Sequence, residues 1–198
     1  MPVSSFIKLS DSDQSVLKKL VRQVLRDTLT YKSFVLPEEP ASPALLAPAA
    51  CFVTLYNKQQ LRGCIGTYIA DQPLWLNVCR YSYYSASEDR RFTPITDDEL
   101  ADIRFEISVL SELVPIANAG EQALLQQLEV GSDGLLLKDR QRSAIFLPSV
   151  WQALPIPSEF LQALKQKGGW PANYWHQDIE LFKFSTFVIE ESKTAATS

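Results

Sequence analysis

The chain is poor in the residues from which metal centres and disulfide frameworks are built. It carries three cysteines, one histidine and one methionine in 198 residues. Cys51, Cys64 and Cys79 are odd in number and match no zinc spacing, so no Cys/His metal cluster is preformed and no metal site is expected. A chain long enough for a well-buried core has no need of a disulfide framework. A surplus of positive charge is also missing: the net charge is −4. Proteins that hold nucleic acid through their overall field carry a basic excess, so a nucleic-acid partner is disfavoured, although a local basic cleft remains open. No apolar run approaches the roughly 18 residues that span a bilayer, and residues 1–8 have no secretory pattern. The expectation is a soluble cytoplasmic protein with no membrane partner. With seven glycines and no Gly-rich strand-to-helix loop, no nucleotide cofactor is indicated, and none of another kind is.

What is present is an ordinary globular composition, 46% hydrophobic and 21% charged, which excludes disorder and fibres. The Ser10-Asp11-Ser12-Asp13 cap precedes Val16, Leu17, Leu20, Val21, Val24, Leu25 and Leu29 at helical spacing, which predicts an amphipathic first helix. Pro37, Pro40, Pro43 and Pro48 then mark residues 37–48 as an extended connection without regular structure. Residues 51–56 are β-branched and aromatic and predict a strand, with a polar turn at 57–60. The chain returns through residues 61–68, where Gly63 and Gly66 interrupt a strand-like run and signal a bulge or a close backbone approach.

Asp71 is placed to cap a helix that has Pro73 in its first turn and runs to the charged corner Glu88-Asp89-Arg90-Arg91-Phe92. Thr96-Asp97-Asp98-Glu99 is a capping box for one or two helical turns. Ile103, Phe105, Ile107 and Val109 alternate with Arg104, Glu106 and Ser108, the pattern of a half-buried strand. A short helix at 121–128, a hairpin over 135–147, a helix stopping at Gly168-Gly169, one long last strand over 179–189 and a polar tail at 190–198 complete the reading. Strands linked by short turns imply an α+β fold with a largely antiparallel or mixed sheet and flanking helices. The whole chain, 1–198, is read as a single domain.

The sharpest chemical feature is Arg62-Gly63-Cys64-Ile65-Gly66. Two glycines let a ligand approach the backbone, and a thiol beside a guanidinium is favoured as thiolate. The competing reading makes Cys64 a small buried hydrophobe. Glu106 sits mid-strand among apolar residues and needs a partner, for which Arg62, Arg91 and Arg104 are the candidates. It is either half of a structural ion pair or an acid/base group. Asp89 and Arg91 are either a cap with a surface ion pair or part of an anion clamp. His176 lies in an aromatic stretch from Trp170 to Trp175 that reads as a packed lid, and a Cys64–His176 pair is the alternative use of its imidazole. Tyr81, Tyr83 and Tyr84 are read as core or interface aromatics before base-stacking ones.

Leu61-Arg62-Gly63-Cys64-Ile65-Gly66-Thr67 resembles the signature of the AMMECR domain family, protein A of the AmmeMemoRadiSam system. Matching blocks follow in order: Asp89-Arg90-Arg91-Phe92, Glu106-Ile107-Ser108-Val109-Leu110, Gly131-x-x-Gly134-Leu135, Phe146-Leu147-Pro148, and Phe160-Leu161 leading to Lys167-Gly168-Gly169. Two positions depart: Arg90 stands where the family usually has proline, and Gln59-Gln60 where it often has a glycine. The resemblance implies an α/β arrangement of one larger and one smaller lobe with the signature loop near a cleft between them. It also implies a pathway shared with a Memo-like protein and a radical S-adenosylmethionine enzyme. The combined expectation is an enzyme or enzyme component with Cys64 and Glu106 as catalytic groups. Arg62, Gly63, Gly66, Asp89 and Arg91 would bind a small anionic substrate or part of a modified macromolecule. The alternative is a non-catalytic module that docks those partners or presents their substrate.

Overall fold

The first helix forms where its caps place it. In the computed structural model, which describes residues 7–191, α1 runs Asp11–Tyr31 with a reciprocal capping box between Ser10 and Asp13. Leu17, Val21, Val24 and Leu25 are buried along one stripe. The proline-marked connection is extended except at Pro43–Leu46, a single helical turn (α2) that starts on a proline. Proline is tolerated there because the first-turn N–H has no helical partner to lose.

β1 (Cys51–Asn57) and β2 (Gln60–Gly66) form an antiparallel hairpin. Its two-residue loop holds Lys58 at φ 49° and Gln59 at φ 69°, the doubly left-handed pattern of a type I′ turn, which suits glycine and asparagine. The missing glycine at this turn therefore does not change its hand; it leaves Gln59 in a strained conformation.

α3 (Leu74–Ser87) follows. Pro73, not Asp71, is its N-cap residue, and no side chain caps it. A 3₁₀ turn at Asp97–Glu99 carries the expected capping box from Thr96, and β3 (Ile103–Leu110) pairs antiparallel with β1. The remaining elements are β4 (Val114–Ile116), α4 (Glu121–Gln127), β5 (Gly134–Lys138), β6 (Ser143–Phe146), a 3₁₀ turn at Pro148–Gln152, α5 (Pro157–Lys167), β7 (Glu180–Phe184) and β8 (Thr186–Glu190).

Two four-stranded sheets result, ordered β2-β1-β3-β8 and β4-β7-β5-β6. The described residues divide into two compact units, a larger one of residues 7–110 and 187–191, and a smaller one of residues 111–186. Each has its own core. Leu17, Leu25, Val53, Leu55, Val78, Ile103, Ile107 and Ile189 centre the first; Leu135, Trp151, Phe160, Leu161 and Leu181 centre the second, where Trp151 stacks on Phe160 at 3.8 Å.

The strand pattern fails at two places. What reads as one long strand over 179–189 is β7 and β8, one in each sheet, broken at Ser185. There Ser185 N–H donates to Ser111 Oγ (3.0 Å) and Ser111 N–H to Ser185 O (2.9 Å). A β-rich composition runs through such a break because both halves are strands. The short strand β4 contains Pro115 and gives no strand signal. It lies at the end of its sheet, where a missing N–H is tolerated. Residues 192–198 of the polar tail lie outside the described residues, while Glu190 ends β8. Glu191 meets Arg22 of α1 in a two-pronged ion pair.

Gln59→Gly relieves the left-handed strain of the hairpin turn. The strain is worth ~1–2 kcal/mol for a non-glycine residue and is partly offset by the unfolded-state entropy that glycine adds. The variant is expected to be about 0.5–1 kcal/mol more stable in urea unfolding. A lower unfolding midpoint than wild type would show that contacts of the Gln59 side chain outweigh the strain.

Candidate functional site

The nominated loop is a strand whose backbone is fixed on every side. Residues Leu55 and Tyr56 of β1 face Gly63 and Leu61, so Arg62 is an extra residue, a bulge beside the glycine rather than at it. Gly63 is glycine for lack of room: a Cβ there would lie 2.0 Å from the Ser85 carbonyl oxygen of α3. At Gly66 a Cβ would meet Phe52 Cγ at 2.3 Å and the Cys51 carbonyl oxygen at 2.4 Å. Both glycines mark close approach, one of the two readings their pattern allows. Between them Ser85 Oγ accepts from Ile65 N–H (2.9 Å) and donates to Val53 O (2.8 Å), bridging β2 and β1.

The register brings Cys64 and Glu106 into one row. Thr54 of β1 is directly opposite Cys64 of β2 on one side and Glu106 of β3 on the other. Opposed residues share a face, so the three side chains stand together across three strands, opposite the buried set Val53, Leu55, Phe105 and Ile107. Thr54 Oγ1 donates to Cys64 Sγ at 3.3 Å. Two adjacent strand spacings place the thiol and carboxyl backbones about 10 Å apart, with Thr54 between them.

Glu106 is not paired with an arginine. Its bond among the described residues comes from Ser108 Oγ, at 3.0 Å and two residues along the same face. Burial raises its pKa, the Ser108 bond opposes that, and the negative charge of Glu190 adds to it. Tyr56, on the same face of β1, has its phenol pushed up to about 12 by burial, then by Glu106, Cys64 and Glu190. Thiol, phenol and two carboxylates thus lie within electrostatic reach of one another.

The three arginines proposed for Glu106 are committed elsewhere. Arg62 spans Glu99 with Nε (2.7 Å) and Nη2 (3.0 Å) and donates to the carbonyls of Thr93 (2.8 Å) and Pro94 (3.3 Å). It is a brace between the bulge and the 93–99 segment, and this use of its guanidinium displaces the expected anion-binding one. Arg104 donates to the carbonyls of Ala101 and Ile103. Arg91 embraces Asp89 through Nε (2.9 Å) and Nη2 (2.7 Å) while its side chain stays 55% exposed, leaving its outer edge open to solvent. Asp89, buried, also accepts Cys64 N–H at 2.9 Å. Phe92 lies between Arg62 and Arg91, with the guanidinium carbons 5.9 and 5.4 Å from its ring centre.

The other nominated groups have local roles. His176 belongs to the smaller unit and is exposed, with Nδ1 accepting Asp178 N–H at 3.1 Å. Its segment is tied down by Asn118 Nδ2 on the carbonyls of His176 and Ile179. The buried Lys165 helps by donating to Ala172 O and Glu121. Tyr81, Tyr83, Tyr84 and Phe34 pack edge-on or tilted against one another. Cys51 and Cys79 are buried thiols, Cys51 pushed well above the ordinary range by burial and Cys79 to about 12 for the same reason. Among the described residues no three His, Cys, Asp or Glu are grouped to hold a metal ion, and no helix is long and apolar enough to cross a membrane.

Comparison with known proteins now assigns the chain. The AMMECR1 family model matches residues 18–189, through β1–β3 and the site. The chain belongs to the AMMECR1 family. A relative from Thermoplasma acidophilum is 34% identical over 160 residues, covering 79% of this chain and 77% of that protein. A relative from Thermococcus onnurineus is 29% identical over 195 residues, with 93% of each covered. The crystal structure of an uncharacterized protein from Pyrococcus horikoshii is similar to this AMMECR1 chain with a TM-score of 0.83. It is 28% identical and covers 92% of this chain and 93% of its own.

Three residues of the candidate site are not singled out by the sequence. Thr54 was legible in principle, because strand alternation puts it on the face of whichever neighbour carries Cys64. Glu99 was read only as the end of a capping box, yet it also receives Arg62. Ser85 carries no signal, as its role depends on how closely α3 lies on β2.

The carboxyls of Asp89 and Glu99 are both held down to about 2, first by hydrogen bonds from Arg91 and Arg62 respectively, from ordinary values of 3.8 and 4.5. A depressed carboxyl stabilises the fold fully above its unfolded-state pKa, and that contribution is lost as pH falls toward its folded value. Stability should therefore decline between about pH 4.5 and 2. Asp89→Asn should cost about 2 kcal/mol at pH 7, shrinking to near zero by about pH 2. Urea titrations at pH 7 and pH 3 measure this, and an equal loss at both pH values would reject the ion pair as its source.

Proposed function

We propose that the chain is an enzyme, or a component of one, whose working group is the Cys64 thiol, as nucleophile or redox thiol. Glu106 is its proton donor and acceptor. The observation that carries this reading is the row Cys64–Thr54–Glu106, opposed on three adjacent strands. A carboxyl whose pKa is raised releases its proton closer to neutrality, where an acid/base group works best. Clustering of perturbed titratable groups on one face is a mark of functional sites as well as of structural networks. The open edge of Arg91 is the anchor for an anionic group of the substrate, since a guanidinium offers a flat fork to oxyanions. Arg62 has no such edge to offer.

The resemblance to the AMMECR domain family supports a cytoplasmic pathway shared with a Memo-like protein and a radical S-adenosylmethionine enzyme. In a second reading the chain docks those partners without catalysing a step, favoured by the use of Arg62 and Asp89 in internal bonds.

Alkylation of the native protein against pH, followed by peptide mapping, separates the two. Cys64 is expected to label while Cys51 and Cys79 stay unreacted, and Glu106→Gln is expected to shift the Cys64 profile. A Cys64 as inert as Cys79 would sink the enzymatic reading and direct work to co-purification with the two partner classes.

A further inference from the structure

β2 ends its sheet, so alternate N–H and C=O groups along it face away from β1 with no strand to receive them. At Cys64 both are taken by one charged corner. Its N–H donates to Asp89 Oδ2 (2.9 Å), Arg91 Nη2 donates to that same oxygen (2.7 Å), and Nη2 lies 3.4 Å from the Cys64 carbonyl oxygen. The ring is closed: peptide N–H, carboxylate, guanidinium, peptide carbonyl. Asp89 Oδ1 is saturated by Arg91 Nε (2.9 Å) and by the Arg91 backbone N–H (3.2 Å). The neighbours of Cys64 are fixed separately, Gly63 by contact with Ser85 and Ile65 by the Ser85 hydroxyl.

We infer that Asp89 and Arg91 are positioning residues for Cys64: their ion pair closes onto both outward groups of its peptide, holding the thiol against Thr54 and coupling it to the charge on Arg91. The inference rests on Cys64 being the working group. Guarding an exposed edge against a foreign strand needs only a charge, a proline or a bulge somewhere along it, and β2 already has its bulge at Arg62. Burying a carboxylate and its arginine partner against the Cys64 peptide costs desolvation that edge protection does not require. The ring also gives the site a route to sense its ligand. An anion on the open edge of Arg91 adds negative charge to a group bonded to the Cys64 peptide, so occupancy and thiol reactivity are linked.

The test uses the full chain and two readouts: exchange of the Cys64 amide proton followed by NMR, and the midpoint of the Cys64 alkylation profile against pH. Asp89→Asn leaves Arg91 un-neutralised, so the midpoint should fall. Arg91→Ala leaves Asp89 un-neutralised, so it should rise. A shift of about half a unit to one unit each way corresponds to a roughly threefold to tenfold change in rate at fixed pH below the midpoint. Arg91→Lys should restore the wild-type midpoint by restoring the charge. Asp89→Ala should speed Cys64 amide exchange about tenfold or more relative to amides of β5. Midpoints that move in the same direction, or not at all, in folded Asp89→Asn and Arg91→Ala proteins would overturn the inference. Should Asp89→Ala not fold, the Arg91→Ala and Arg91→Lys pair decides it. A wild-type thiol that never reacts would refute the enzymatic reading, while amide exchange would still report separately on the ring.

Discussion

The structure of the site depends on how closely α3 lies against β2. The Ser85 carbonyl oxygen occupies the space in which a side chain at position 63 would begin, so the strand can hold that position only with glycine. Once there, Ser85 Oγ reaches between the strands to the Ile65 N–H and the Val53 carbonyl and bridges them. The ordinary register of the hairpin ends at this point, and Arg62 becomes the extra residue. Released from pairing, its guanidinium braces Glu99 and the carbonyls of Thr93 and Pro94. The end of α3 also delivers Asp89 and Arg91 to the outer edge of Cys64. A short contact between two backbones thereby fixes a cysteine from the core side and from the edge.

Charge is distributed around that constraint in two ways. Asp89 and Glu99 each sit in the fork of an arginine, which lowers both carboxyls; Arg62 is turned inward while Arg91 keeps an exposed edge. Pairs of this kind hold loops to strands, and removing one partner leaves a buried charge uncompensated. Glu106 is placed differently. It is half-buried, bonded to a hydroxyl, and faces the charge of Glu190 instead of a cation. Its pKa therefore moves in the opposite direction from those of Asp89 and Glu99. A carboxylate that burial and a like charge both disfavour is maintained at a cost in stability, and strain of that kind gathers at working sites.

Much of this architecture was legible in residue order. Periodicity located α1 and β3, β-branched and aromatic composition located β1, and caps and turns located α3 and the β5–β6 hairpin, each to within about three residues. Position along the chain also located Cys64 and Glu106 as the groups to watch. Pairing partners were not legible, because they depend on register and on chain crossings that no local pattern encodes. Arg62 was a reasonable partner for Glu106 until the bulge sent it to Glu99. The run over 179–189 is β-rich throughout although Ser185 carries it from one sheet to the other, since both halves are strands. β4 was invisible for the opposite reason: a three-residue edge strand with a proline satisfies no strand rule and needs only one neighbour, β7.

The three cysteines show how far position outweighs residue type. Cys51 and Cys79 lie in the core of the larger unit, where burial raises both thiols far from the range in which a thiolate forms. They behave as small apolar side chains, as most buried cysteines do. Cys64 differs from Cys51 by one strand and by the face it points to. Its sulfur accepts a hydrogen bond from the Thr54 hydroxyl, its peptide closes a ring with Asp89 and Arg91, and a raised carboxyl stands two strands away. The surrounding polar groups meet at a sulfur and the peptide that carries it, and the role proposed for the thiol rests on that arrangement.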